Sequence, residues 1–441
     1  MALEGAVKLE AGLDIVKDRI RGAPIGMFIA DALAMPAHWY YERPNIFKRF
    51  GPDGVTAYLP AESPHWESMV DGMTYRGSID ILHDKRRFYN REGEVSGADS
   101  HGNRLIDPPD KRTHYHDGLQ AGQNTHTMAS VKVLLDSITE RGGYDAEGFI
   151  DRWIDFHTTP GRNTDTYLEI YVRRFFENLS EGRPKMQCAE DQKNRWSIGS
   201  HTGVVFCVIP FLFTLMQGLE RTADGRLQLP PAALSRALEV ALSHQRLTHV
   251  SVNVTSAFTA LAPLLVDLLS APDGLGPDEY RKMLQKNAKA FHLPRITGAE
   301  LMDRYREANG PFNIPTDEMW KLHTDLKDEP FDLSDTLLAS HSPESFIGDI
   351  VTSACYTEHG LPAVLFMAAK NAGDGHFADA VLCNVNVGGD STGRGAILGA
   401  VMGAMVGFER IPGWLKDGLD DGKGLIECIA DVVEIAAKGL A

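Results

Sequence analysis

The sequence predicts an all-α protein, built as a single compact bundle of many helices. Strand signals are scarce, because no hairpin dipeptide is flanked by alternating β-branched residues. Glycines stand four residues apart from Gly395 to Gly407, so they share one face of a helix. Four segments of the middle third repeat apolar residues with the helical period, at 203–217, 231–246, 253–269 and 278–291.

The glycine stripe predicts a helix that packs with its backbone close to a neighbour. Each glycine inside a helix costs roughly 1 kcal/mol relative to alanine, so four in register need a packing reason. The preceding loop, 386–395, places a carboxylate, two hydroxyls and a guanidinium among glycines that let a ligand approach. The start of such a helix favours anions or sugar oxygens. The alternative is a tight helix crossing in which Asp390 or Ser391 is only a cap.

Composition limits the classes of function. The chain has 441 residues, 43% of them hydrophobic and 24% charged, as in a globular protein, and we interpret 1–441 as one domain. The formal net charge of -16, with no basic run, argues against a nucleic-acid partner. The longest apolar run, 203–216, contains Pro210, so no membrane partner is expected. Five scattered cysteines and the absence of a signal pattern predict a cytoplasmic protein with reduced thiols.

A carboxylate is placed among apolar residues near the N-terminus. The segment 5–33 follows a helical period, and Asp31 lies inside its apolar end. Burying an unpaired carboxylate is costly, so Asp31 faces a polar cavity or a buried donor. Pro36 ends the helix, and His38 follows at the break. His38 could line a pocket, or it could belong to an aromatic cluster under a loop.

Residues 43–118 have weak periodicity and many Pro, Gly and aromatic residues, which is typical of a functional loop-rich segment. We interpret this insertion as a lid over a cleft at helix N-termini. It ends in His114 and His116, whose side chains would point the same way on an extended backbone. Hydrogen bonding to a substrate or to the lid is favoured over metal binding, because no third ligand stands at a fixed offset.

Two further polar turns precede predicted helices. The first contains Gln123, Asn124 and Thr125 and opens a helix over 127–138, so Asn124 or Thr125 is a candidate N-cap. The second, 159–167, contains Asp165 and opens a helix over 167–179. Because caps lie where ligands bind, a capping role does not exclude a ligand role.

These turns together resemble a known family, the ADP-ribosylglycohydrolases. The similar segments are 26–36, 122–128 and 388–407, followed by 411–415, in the family's order and over nearly the whole chain. The resemblance implies an all-α fold that holds two magnesium ions among helix termini. Within the family, the chain is similar to the J-crystallin and selenoprotein J group at 114–116, 121–125, 160–167 and 355–359.

The sequence departs from the family's metal ligands at several positions. In the hydrolases a Thr-Asp-Asp-Thr turn binds metal, and here Gln123 and Asn124 replace both aspartates while Thr125 matches. In the later motif Asp390 matches, but Thr392 replaces the second aspartate. The family's glutamate after the proline of the first motif falls on His38.

Magnesium prefers hard, anionic oxygen ligands in an octahedral array. With three carboxylates replaced, we predict no dinuclear magnesium site and no certain cofactor. Thr125 and Asp390 remain the candidate ligands if magnesium binds.

We predict a hydrolase that cleaves a ribosyl, glycosyl or related C–N or C–O bond in a small polar substrate. Asp390, His38 and Asp31 are the candidate catalytic residues, because a carboxylate and a histidine together support general acid–base chemistry. The candidate substrate-binding residues are Gln123, Asn124, His114, His116, Ser391, Arg394, Asn386 and Asp165.

Two alternatives stay open. The missing carboxylates also fit a non-catalytic ligand-binding or crystallin-like structural homologue. A lyase or hydrolase with a metal bound by His114, His116 and a carboxylate is the second alternative. The expected partner is a small-molecule substrate, and the sequence leaves the oligomeric state open, with a homodimer as one arrangement.

Overall fold

A computed structural model describes residues 6–68, 109–159, 161–189, 198–310 and 313–440. Its longer helices confirm the all-α prediction. They are α1 (Leu13–Ala34), α2 (Arg43–Phe50), α3 (His126–Arg141), α4 (Ala146–Thr158), α5 (Ile170–Ser180), α6 (Thr202–Gln217), α7 (Pro231–Gln245), α8 (Val252–Ser270), α9 (Pro277–Ala288), α10 (Gly298–Glu307), α11 (Thr316–Thr324), α12 (Asp335–Ser340), α13 (Thr357–Lys370), α14 (Phe377–Asn386), α15 (Ser391–Val406), α16 (Gly413–Asp417) and α17 (Gly422–Ala437).

Short strands and helical turns connect these helices. The strands β1 (Val7–Lys8), β2 (Glu220–Arg221) and β3 (Leu227–Leu229) form an antiparallel sheet in the order β1-β3-β2. A second antiparallel pair joins β4 (His292–Pro294) to β5 (Leu326–Pro330). The short turns are Met35–Ala37, Pro109–Lys111, Lys185–Gln187, Pro343–Ser345 and the π-helical Phe346–Ile350.

The helix α15 packs against α1 at backbone distance. A Cβ atom added at Gly399 would collide with the carbonyl oxygen of Gly26, and one added at Gly403 would collide with that of Gly22. Contacts run in opposite order along the two helices, so they are antiparallel, and the end of α1 meets the start of α15. Both helices are buried along most of their length, inside one large apolar cluster. The backbone-close packing predicted from the stripe is therefore confirmed.

The predicted helices of the middle third are present as α6, α7, α8 and α9, with ends shifted by up to three residues. The helix expected over 167–179 begins only at Ile170. At the N-terminus, β1 precedes α1, and its Val7 pairs with Leu229. Local periodicity places helices well, but strand pairing between distant segments leaves no local pattern.

The insertion 43–118 is described at both of its ends. It begins with α2, continues as a loop to residue 68, and resumes with the turn Pro109–Lys111. Residues 69–108, the middle of the predicted lid, lie outside the described residues. His114 and His116 at its end are buried, at 2% and 3% exposure.

Among the described helices, α8 alone is long and apolar enough by composition to cross a membrane. Half of its most apolar window is buried inside the protein. It packs against α1, α6, α7, α9, α13 and α15. These contacts are those of a core helix.

We expect Gly403→Ala to lower the free energy of unfolding by about 1–3 kcal/mol, because its Cβ would push α15 away from Gly22. Gly143→Ala is the matched control, since an added Cβ there meets no atom within 4 Å. Chemical unfolding of both variants measures the difference. Equal stabilities of the two variants would contradict the close packing.

Candidate active site

The candidate active site is a small pocket where the end of α1 meets the start of α15. Pro36 lies in the turn that ends α1, and Gly388 and Gly389 form a loop with positive φ angles of 78° and 73° before α15. The main-chain N–H of Gly389 donates to the carbonyl oxygen of Tyr40 at 2.6 Å and ties the two segments together. The pocket is lined by His38, Trp39, His116, Thr125, His126, Thr127, Tyr167, Glu169 and Thr392.

Four side chains form a continuous buried chain through this pocket. The Nδ1 atom of His38 lies 2.7 Å from Nε2 of His116. The Nδ1 atom of His116 lies 2.9 Å from both carboxylate oxygens of Asp165. On its other side, His38 Nε2 lies 3.0 Å from Oδ1 of Asp390. The sequence separates His38 from Asp390 by 352 positions, so only the fold brings them together.

Asp165 fixes which nitrogen of the His116 ring carries a proton. Besides the His116 ring, its carboxylate accepts from the main-chain N–H groups of His126 at 2.8 Å and Tyr167 at 3.2 Å. Against the opposing effect of burial, His116 and these donors hold the pKa of Asp165 below its usual value. An ionised carboxylate only accepts, so Nδ1 of His116 carries a proton and donates it to Asp165.

The same argument applies at the other end of the chain, where Nε2 of His38 donates to the ionised carboxylate of Asp390. Burial lowers the pKa of His38 to about 4, although the bond to Asp390 opposes this shift. The hydroxyl of Thr392 lies 3.0 Å from the same Nε2 atom. His38 and Asp390 thus form a hydrogen-bonded imidazole–carboxylate pair that can take up a proton together, as a general base does.

Asp390 lies between two histidines. Its Oδ2 atom is 3.4 Å from Nε2 of His201, which is fully buried. Although burial opposes it, the contacts with His201 and His38 hold the pKa of Asp390 well below its usual range. Asp390 is at the N-cap position of α15, but its side chain makes no capping hydrogen bond. The capping alternative for this carboxylate is therefore not what the structure shows.

Asp31 has a different set of partners. Its oxygens accept from the Thr125 hydroxyl at 2.7 Å, the Thr125 N–H at 2.8 Å and the Asn124 side-chain amide at 2.9 Å. Burial nevertheless raises the pKa of Asp31 to about 6. The carboxylate thus holds the polar turn before α3 against α1, and Thr125 of that turn lines the pocket.

Several predicted substrate-binding residues support the site from outside the pocket. His114 accepts the His116 N–H at Nδ1 and bonds to the carbonyl of Pro36 through Nε2. Arg394 is fully buried and donates to Asn384 and to the carbonyl of Gly388, so it holds the loop before α15.

The remaining predicted residues are not part of the pocket lining. The amide of Asn386 bonds to both main-chain groups of Val55 and so anchors the loop after α2. Gln123 is bonded to Gln120 and Asp420. The carbonyl of Ser391 accepts from the side chain of Asn384.

Other pocket residues were not predicted as ligands. Glu169 was expected inside a helix, but it lies at the N-cap of α5 because that helix begins late. Thr392 was noted only as a replaced aspartate, and His201 precedes α6 without any local signal. Trp39 has a φ of 64°, unusual for a residue with a side chain, and its ring stacks on His38 with centroids 3.9 Å apart.

The protein can be assigned to a family. The ADP-ribosylglycohydrolase family model matches residues 13–440. The chain belongs to the ADP-ribosylglycohydrolase family. Membership in the ADP-ribosylglycohydrolases indicates, at a coarse level, a hydrolase of that superfamily.

A solved chain described as an ADP-ribosylglycohydrolase-related protein complex is similar to this protein. The two share 17% identity and a TM-score of 0.48, and the similarity covers 96% of this chain and 100% of that chain. A search of curated proteins returns no match.

We expect Asp31 to make stability depend on pH. Its pKa of about 6 when folded lies above the ~3.9 of an unfolded aspartate, so the folded state binds the proton more tightly. This stabilisation is fully present below about pH 4 and is lost as the pH rises through about 6, by roughly 3 kcal/mol. Urea unfolding of wild type and Asp31→Asn from pH 4 to 7 measures it.

The expected result is a stability difference between wild type and Asp31→Asn that changes across this range. Asp53→Asn, a substitution at an exposed aspartate, is the control. If the stability difference between wild type and Asp31→Asn changed with pH no more than that between wild type and Asp53→Asn, the raised pKa of Asp31 would be contradicted.

Proposed function

We propose that this protein hydrolyses a ribosyl, glycosyl or related C–N or C–O bond in a small polar substrate, with His38 and Asp390 together as the general base. The observation that carries this proposal is the buried chain from Asp165 through His116 to His38, which ends in the hydrogen bond between His38 and Asp390. Such a chain orients an imidazole and stabilises its charged form, as catalytic histidines require.

In the proposed step, a water molecule in the pocket gives a proton to the His38–Asp390 pair while its oxygen attacks the electrophilic carbon. The bond from that carbon to the leaving nitrogen or oxygen breaks, and the leaving group takes up a proton. The imidazolium of His38 is stabilised by Asp390 at 3.0 Å. His116 stays bonded to Asp165 and holds the ring of His38 in place.

The residues of the site support a reaction that does not use the two magnesium ions implied by the family resemblance. Both oxygens of Asp31 already accept hydrogen bonds, and Asp390 faces two histidine rings. In the described residues, no group of three or more His, Cys, Asp or Glu side chains is arranged to hold a metal ion. Magnesium needs several free oxygen ligands, and this arrangement does not fit one.

The alternative of a metal held by His114 and His116 has less support. Both ring nitrogens of His114 and both of His116 have hydrogen-bond partners. As part of the same proposal, the protein acts on a small-molecule substrate in the cytoplasm and is related to the J-crystallin group.

We expect His38→Gln and Asp390→Asn each to lower kcat/KM by about 10²–10⁴ on the ADP-ribosyl conjugate that wild type hydrolyses best, because each removes a member of the proton-transfer pair. The measurement is turnover of a panel of N- and O-linked ADP-ribosyl conjugates. His376→Gln, at an exposed histidine, is the matched control.

Thermal unfolding of the variants separates lost chemistry from lost folding. Wild-type turnover by a folded His38→Gln protein would exclude His38 as the base. A wild type that hydrolyses no member of the panel would instead favour the binding or structural alternative.

We also expect hydrolysis to survive removal of divalent cations. Dialysis against EDTA should leave kcat/KM within about twofold, because no step of the proposed reaction uses a Lewis acid. Elemental analysis of the dialysed protein verifies the treatment. If activity disappeared on dialysis and returned with added magnesium, the site would bind magnesium and the metal-free reaction would be contradicted.

A further inference from the structure

Glu169 has an unusual position for a residue that begins a helix. It is the N-cap of α5, where an acidic side chain normally accepts from N–H groups of the first turn. The Glu169 side chain makes no such bond, and its carboxyl group lines the pocket that also contains His38 and Thr392. The hydroxyl of Thr127 donates to Oε1 of Glu169 at a long 3.4 Å.

The surroundings of Glu169 favour a neutral carboxyl group. Burial raises the pKa of Glu169 to about 8, and the charges of Asp390 and Asp165 act in the same direction. The bond from Thr127 and the charge of Arg173 oppose the shift without cancelling it. Asp390 is affected in the opposite direction, because two histidines stabilise its charge.

Two carboxyl groups near one pocket are therefore held in different protonation states. Such a division assigns an acid and a base to neighbouring carboxyl groups in many hydrolases. Glu169 carries a proton in the pocket, whereas Asp390 is charged and pairs with the base. The reaction proposed above needs a proton for the leaving group, and His38 is occupied with the proton from water.

We infer that Glu169 is the general acid of this site and that the substrate has a basic leaving group, an amine, amide, guanidine or alkoxide. This inference rests on the proposed hydrolysis. As the bond to the electrophilic carbon breaks, its electron pair stays on the leaving nitrogen or oxygen, which takes the proton of Glu169. The Glu169 carboxylate then recovers a proton from the His38–Asp390 pair through solvent, and the site returns to its starting state.

The pH dependence follows from the groups around Glu169. Hydrolysis of a basic leaving group should decline above about pH 8, as Glu169 loses its proton. A nitrophenolate leaving group needs no proton, so its hydrolysis should lack that alkaline decline. The titratable and charged groups that face the pocket or act on Glu169 are His38, His116, His126, Asp165, Tyr167, Tyr171, Arg173, Cys355 and Asp390.

The test compares two ribosyl conjugates, one with an alkylamide or alkoxide leaving group and one with nitrophenolate. Glu169→Gln should lower kcat/KM on the first by about 10²–10³ and change the second little, because only the first needs an acid. Glu181→Gln, at the exposed end of the same helix, should leave both unchanged. His38→Gln should slow both conjugates, because both need the base.

The outcomes separate this inference from the proposed function. Equal losses on both conjugates in Glu169→Gln, or no loss on either, would overturn the acid role while hydrolysis itself stands. A wild type inactive on both would overturn the hydrolase proposal and the acid role with it. The wild-type pH profiles give a second readout that needs no variant: an alkaline decline that is the same for both conjugates would also exclude Glu169 as the acid.

Discussion

The close packing of α1 against α15 is the constraint on which the candidate site depends. Because Gly22 and Gly26 face Gly403 and Gly399 without side chains between them, the two helices approach at backbone distance. Antiparallel packing then brings the end of α1 to the start of α15. His38 follows the first helix and Asp390 precedes the second, so their 3.0 Å contact is a consequence of the glycine pairs.

The buried carboxylates of this region are compensated by hydrogen-bond donors. Asp31 accepts from an amide, a hydroxyl and a main-chain N–H, and Asp165 from a histidine ring and two main-chain N–H groups. Burying a charge without such partners is far more costly than leaving it in water. In our proposal, this arrangement replaces the metal-centred charge balance that the family resemblance implies, and it leaves a histidine as the reactive group.

The same electrostatic interactions hold the acidic residues of the site in different protonation states. Asp390 and Asp165 are kept charged by histidines and N–H donors, while burial near those charges keeps Glu169 protonated. The division follows from position, because Glu169 has a weak hydroxyl donor where the aspartates have strong ones. In our proposal, a pocket organised in this way provides a base and an acid at neutral pH.

The sequence by itself determined the helical class, the glycine-mediated packing and the polar turns that contain Asp31, Thr125 and Asp390. These features follow from local periodicity and from residue types whose physical requirements are narrow. Only the tertiary structure decided which polar residues meet: His201 and Glu169 enter the site, whereas Arg394 lies beneath it as a support. Contacts between segments hundreds of residues apart depend on how whole helices pack, and no local pattern encodes them.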